Sequence, residues 1–139
     1  IRYLKFMKIS KIKINTKTKN YSIIIGRNLI NKITTILNDN NLSFEKCLIV
    51  NDKNVPIKYK NLLKKKLKSK KIFQIELIAL EKNKNYKTIE KIHNFLFKNR
   101  FNREDCIISF GGGIVGDVVG FASSTFKRGM KFINIPTTL

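Results

Sequence analysis

At 139 residues the chain has room for one domain or part of one. Its 29 Lys and Arg against 9 Asp and Glu give a formal charge of +20, with a pI near 10.2. With 42% hydrophobic residues it holds enough apolar material for a core, which excludes a disordered basic tail.

A charge of this size first suggests phosphate neutralisation on a nucleic acid. The composition argues otherwise. Lys supplies 24 of the basic residues and Arg, which reads bases and phosphates through a bidentate fork, supplies 5. Ile (22) and Asn (16) are inflated alongside Lys, so the three make up 62 of 139 residues, the signature of AT-rich codon drift onto tolerant positions. A basic nucleic-acid-binding module is therefore the less favoured reading, and no nucleic-acid partner is expected. No membrane partner is expected either: the uncharged stretch Cys106–Gly116 is too short to span a bilayer and rich in Gly. Ile1–Phe6 lacks the long apolar stretch and cleavage site of an export signal, and with Met7 as the natural initiator it reads as upstream read-through. Cys47 and Cys106, each in an apolar run, fit buried reduced thiols and a cytoplasmic location. A single histidine, His93, argues against a Cys/His metal site.

In chain order, Lys8–Ile14 alternates polar and apolar as a half-exposed strand does, and Tyr21–Ile25 is a second strand ending at Gly26. Asn28–Leu37 has helical spacing and breaks at the Asn/Asp run 38–41. Cys47–Val50 is a continuous apolar run of the kind buried in a parallel sheet, closing at Asn51-Asp52. Pro56 opens a helical segment with Leu62, Leu63 and Leu67 on one face and lysines around the rest. Phe73–Ile78 reads as strand, Thr88–Phe97 as helix, Cys106–Phe110 as buried strand, Val115–Phe126 as helix and Phe132–Ile135 as strand. This alternation predicts an α/β fold over residues 7–139, a Rossmann-like, doubly wound, mostly parallel sheet. Ligands of such sheets bind at the carboxyl ends of strands, which singles out Asn51–Asp52, Glu81–Lys87, Gly111–Asp117 and Pro136–Leu139.

Charge is distributed very unevenly. Residues 1–105 hold 26 basic and 8 acidic groups, whereas residues 106–126 hold one charged residue, Asp117. That neutral stretch runs from a strand through Gly111-Gly112-Gly113 into Ile114-Val115-Gly116-Asp117. Glycines allow a ligand close to the main chain, and the start of the next helix offers free N–H groups and a positive dipole end, suited to a pyrophosphate. Gly116 and Gly120, four apart, would let the helix pack closely, and Asp117 is expected in its first turn. A glycine cluster alone is weak evidence, and the spacing is not G-x-G-x-x-G.

The run Gly111–Ala122, then Phe126-Lys127-Arg128-Gly129 and Phe132–Leu139, closely resembles the 3-dehydroquinate synthase family. Weaker similarity reaches back through Tyr86-Lys87 and Asn51-Asp52 to the Tyr21–Gly26 strand. The resemblance implies an NAD-dependent, metal-dependent lyase of the shikimate pathway that converts 3-deoxy-D-arabino-heptulosonate 7-phosphate to 3-dehydroquinate and phosphate. Other sugar-phosphate cyclases and polyol dehydrogenases of the superfamily are the alternatives. By position, the resemblance assigns Gly112, Gly113, Ile114, Val115, Gly116 and Asp117 to the NAD pyrophosphate and its surroundings. It assigns Thr137 and Thr138 to cofactor hydroxyl contacts, Lys87 to the phosphates or ribose, and Asp52 to the adenosine half. Arg128 matches a residue that holds the sugar-phosphate substrate at the interface of a homodimer. One departure stands out: Lys84 occupies the place expected for a ribose-binding Glu, with Glu81 the nearest acid. The family's zinc or cobalt ligands lie in a later helical domain, so no catalytic or metal-binding residue is expected in this chain, which reads as a fragment inactive by itself.

Overall fold

The structure, a computed structural model, describes residues 9–138. They fall into two compact units, divided after Ser43.

In the first unit, β1 (Ser10–Asn15) and β2 (Asn20–Ile25) form an antiparallel hairpin with Ser10 opposite Ile25. Its turn is closed by Thr16, whose backbone N–H donates to the Lys19 carbonyl and whose hydroxyl accepts from the Lys19 N–H. The helix expected over Asn28–Leu37 is in fact a 3₁₀ turn, Leu29–Lys32, leading into a short α1 (Ile33–Asp39) that buries Ile33 and Leu37. Asn28, in the left-handed region at φ 56°, marks the chain reversal that delays the α-helix.

The second unit alternates strand and helix: β3 (Lys46–Asp52), α2 (Ile57–Lys66), β4 (Lys71–Leu77), α3 (Tyr86–Lys98), β5 (Cys106–Gly111), α4 (Gly113–Thr125) and β6 (Lys131–Pro136). The four strands are all parallel, in the order β4-β3-β5-β6. Between β3 and β4 the chain steps one way, and from β4 through β5 to β6 it steps back the other way. Since such crossovers keep one hand, the reversal places α2 on one face and α3 and α4 on the other. Side-chain alternation agrees. Leu48, Val50 and Ile107 share a core with Ile89, Ile92 and Leu96 of α3 and Val115, Val118 and Val119 of α4. Their neighbours Cys47, Ile49, Cys106 and Ile108 point to the opposite face and are fully buried, as are Leu63 and Leu67 of the α2 segment. The fold is thus the doubly wound, Rossmann-like α/β sheet the sequence predicts.

One feature of this core is invisible in the sequence. Cys47 and Cys106 are direct partners across the β3–β5 ladder, both with no exposed surface. Burial pushes the Cys47 thiol up to about 12 and raises Cys106 well above the ordinary thiol range. Both remain protonated, which suppresses nucleophilic or metal-binding chemistry. No helix among the described residues is long and apolar enough to cross a membrane.

Candidate functional site

The winding reverses between β3 and β5, and a crevice opens beyond their carboxyl ends at such a point. Its two walls are Asp52, the last residue of β3, and Gly111, the last of β5. They touch: a Cβ on Gly111 would stand 2.8 Å from Asp52 Cβ and 3.0 Å from Val115 Cγ2. Gly111 therefore makes room for a close approach of strand, helix and the β3 side chain. None of Gly111–Gly113 has positive φ, and Gly112 is extended (φ −77°, ψ −171°).

The helix also starts earlier than its periodicity suggests. α4 begins at Gly113, because Gly112 passes directly from the strand into the cap position and its carbonyl accepts from Gly116 N at 3.0 Å. Asp117 accordingly lies in the second turn, correcting the first-turn expectation, so its interaction with the dipole is weaker. Glycine at the cap leaves the N–H groups of Gly113, Ile114 and Val115 without a side-chain partner, directed out of the helix start. A Cβ on Gly113 would meet nothing within 4 Å, so this surface is open to an incoming group. A Cβ on Gly112 would come within 3.2 Å of Thr138 Oγ1, while Thr137 N donates to Gly111 O at 2.9 Å. The Pro136–Thr138 exit of β6 thus lies alongside the glycine turn.

Farther along α4, the glycine pair packs as predicted. A Cβ on Gly116 would lie 3.1 Å from Asn134 Oδ1 and one on Gly120 3.4 Å from Phe132, so α4 presses directly onto β6. Ser109 Oγ donates to Asn134 Oδ1 at 2.6 Å and fixes the amide facing Gly116.

Polar groups gather at the rim. Asp52 is only 8% exposed, and its Oδ1 accepts from Asn54 N at 2.9 Å. Beside it Asn51, 2% exposed, buries an Oδ1 that has no hydrogen-bond partner among the described residues. Across the cleft, Lys84 Nζ lies 2.7 Å from Asp117 Oδ2. That hydrogen bond and the charge of Asp117 raise Lys84 above its ordinary value, with Glu81 acting in the same direction. The position read as a lost Glu therefore holds a cation engaged with Asp117, and Glu81 stands close by.

Two assigned residues lie elsewhere. Lys87 follows Tyr86 into the first turn of α3, where Asn85 caps the helix by accepting from Thr88 N at 3.0 Å. It lines an outer groove between α3 and α4 with Tyr86, His93 and Phe121. Arg128 sits beyond the far end of α4, whose 13 residues span about 20 Å, so it lies far from the glycine turn of its own chain. His93 is committed to Ala122 O at 2.9 Å and to the Thr125 hydroxyl. Among the described residues no group of three His, Cys, Asp or Glu is placed to hold a metal.

Residues 74–139 match the family model described as 3-dehydroquinate synthase N-terminal. Along nearly its whole length the chain is similar to 3-dehydroquinate synthases. It is 52% identical over 136 residues to the 3-dehydroquinate synthase of Pelagibacter ubique, a match covering 96% of this chain and 36% of that protein. The chain thus spans about a third of the length of the curated relatives it matches. Among solved structures, a 2-deoxy-scyllo-inosose synthase complexed with carbaglucose-6-phosphate, NAD+ and Co2+ superposes with a TM-score of 0.82. It shares 20% identity and covers 93% of this chain and 35% of that one. A 2-epi-5-epi-valiolone synthase from Streptomyces hygroscopicus, with NAD+ and Zn2+ bound, gives a TM-score of 0.62 at 26% identity. There the match covers 68% of this chain and 27% of that one.

Proposed function

We propose that this chain is the NAD-binding part of a 3-dehydroquinate synthase, whose complete form converts 3-deoxy-D-arabino-heptulosonate 7-phosphate to 3-dehydroquinate and phosphate. The observation that carries the reading is the cleft at the winding reversal. Its glycines clear the approach, the N–H groups of a helix start are uncapped, and Asp52, Asp117, Thr138 and a buried unpaired Asn51 oxygen surround it. A dinucleotide fits this donor and acceptor set. The N–H groups of Gly113, Ile114 and Val115 would receive the pyrophosphate, with Gly112 and Gly116 keeping the approach clear. Asp52 would accept from the adenosine half, and the hydroxyls of Thr137 and Thr138 would flank the dinucleotide from the β6 side. Lys84, held by Asp117, supplies positive charge at the cleft's edge, while Lys87, in the outer groove, would reach the phosphates or ribose only from outside it. When bound, NAD supplies a reversible oxidation of a ring hydroxyl that acidifies the neighbouring C–H and lets phosphate leave, with no net redox.

Zinc or cobalt belongs to the part of the relatives that this chain does not span, and no step is assigned to it here. Arg128, remote from its own cleft, fits the substrate phosphate of a second subunit in a homodimer. The 52% identity to a 3-dehydroquinate synthase favours this substrate over those of the sister cyclases. The test is turnover of the heptulosonate phosphate by the complete gene product with catalytic NAD. Stoichiometric phosphate release without accumulation of NADH is expected. Accumulating NADH would mark a polyol dehydrogenase, and absence of phosphate release would remove the assignment.

A further inference from the structure

Among the described residues one lysine is buried. Lys60, on α2, is 6% exposed. A flexible ammonium so close to a helix surface would ordinarily reach for water, and holding it inside is costly unless it is paired. Its Nζ lies 2.6 Å from Glu76 Oε1 on β4 and 3.2 Å from the Lys53 carbonyl. Glu76 is itself half in water, so the pair is not buried for the sake of the carboxylate.

The carbonyl is the informative partner. Lys53 directly follows Asp52, in a turn where Val55 N donates to Asp52 O and Asn54 N to Asp52 Oδ1. Lys53 N is in turn held by Leu77 O at 2.8 Å. Lys60 therefore ties α2 and β4 to the one turn that aims Asp52 along Gly111. The same edge buries the unpaired Asn51 oxygen, and Asn51 is the register partner of Glu76. A buried polar atom without a partner is a cost that stability alone would not retain.

We propose that Lys60 is a positioning residue: it sets the Asp52–Val55 turn so that this turn receives the adenosine half of the dinucleotide. This rests on the reading of the cleft as an NAD site. The test titrates the complete 139-residue chain with NAD, AMP and nicotinamide mononucleotide by NMR. Lys60→Met is expected to weaken NAD and AMP about tenfold, the size of one lost charge-assisted hydrogen bond, and to leave nicotinamide mononucleotide unchanged. Lys60→Arg is expected to recover part of the loss. Should Lys60→Met not fold, Glu76→Ala, a change at a half-exposed side chain, is expected to show the same AMP-selective weakening at smaller size. Equal losses for both fragments, or no loss for either, overturn the role of Lys60. Failure of the unaltered chain to bind NAD or AMP overturns the cleft reading, and Lys60 falls with it.

Discussion

Helices α2 and α4 follow neighbouring strands of one sheet, and their sequences have little in common. α2 reads Ile-Lys-Tyr-Lys-Asn-Leu-Leu-Lys-Lys-Lys and begins five residues beyond the end of β3. α4 has one charge in 13 residues and begins two residues beyond the end of β5. The first needs one apolar stripe, and apart from Lys60 its lysines can end in water. The second has to press two glycines onto β6, meet Asp52 through Gly111 and keep its first N–H groups bare. Lysine accumulates where a side chain has somewhere to go, and is absent where close approach is the function.

The sharpest way to break this contrast is to add volume at the contact between the two strand ends. Gly111→Val would drive a branched side chain into Asp52 Cβ and Val115, already 2.8 and 3.0 Å from a bare Cβ. A loss of about 1–3 kcal/mol in urea unfolding is expected, together with loss of NAD binding. A variant as stable as the parent that still bound NAD would show that the close approach at this position is dispensable.

A smaller effect separates the site from the scaffold. Asp117→Ala removes the partner of Lys84 at a place where both side chains face solvent. Exposed pairs contribute little to stability, so the melting midpoint is expected to stay in place while kcat/KM of the complete enzyme falls about tenfold. A shifted midpoint with unchanged kcat/KM would recast Asp117 as a scaffold residue.

Strand and helix periodicities reveal the order of elements and hence the sheet, since Cys47–Val50, Cys106–Phe110 and the Leu62/Leu63/Leu67 stripe each carry a local signature. What they leave out depends on contacts between elements. That Cys47 faces Cys106 requires the register of two strands 59 positions apart in sequence. That Gly111 and Gly112 make room for Asp52 and Thr138 requires knowing what sits 3 Å away. Lys60 is indistinguishable from its neighbours by composition, because burial of a lysine depends on a carbonyl and a carboxylate brought in from β3 and β4. Periodicity places Asp117 one turn too early because glycine, a poor helix former, hides the true start of α4 at Gly113.

The smallest expected effect concerns the lysines themselves. If Lys64 and Lys65 are drift onto a solvated face, reversing their charge must cost almost nothing, since neither enters a salt bridge among the described residues and α2 keeps Leu63 buried beneath them. The double change Lys64→Glu, Lys65→Glu is expected to move unfolding stability by no more than about 0.5 kcal/mol, the usual range for surface substitutions away from caps and networks. It places two acids in the last turn of α2, where the helix dipole disfavours them, so a small loss is the expected sign. NAD affinity should be unaffected, because Lys64 and Lys65 are exposed and it is Lys60 that holds the Asp52 turn. Titration at low and high salt checks both arms: an NAD affinity that fell severalfold at low salt and recovered at high salt would mean that the positive surface draws in the anionic dinucleotide. The charge would then belong to the site, and the contrast between α2 and α4 would describe two parts of one device.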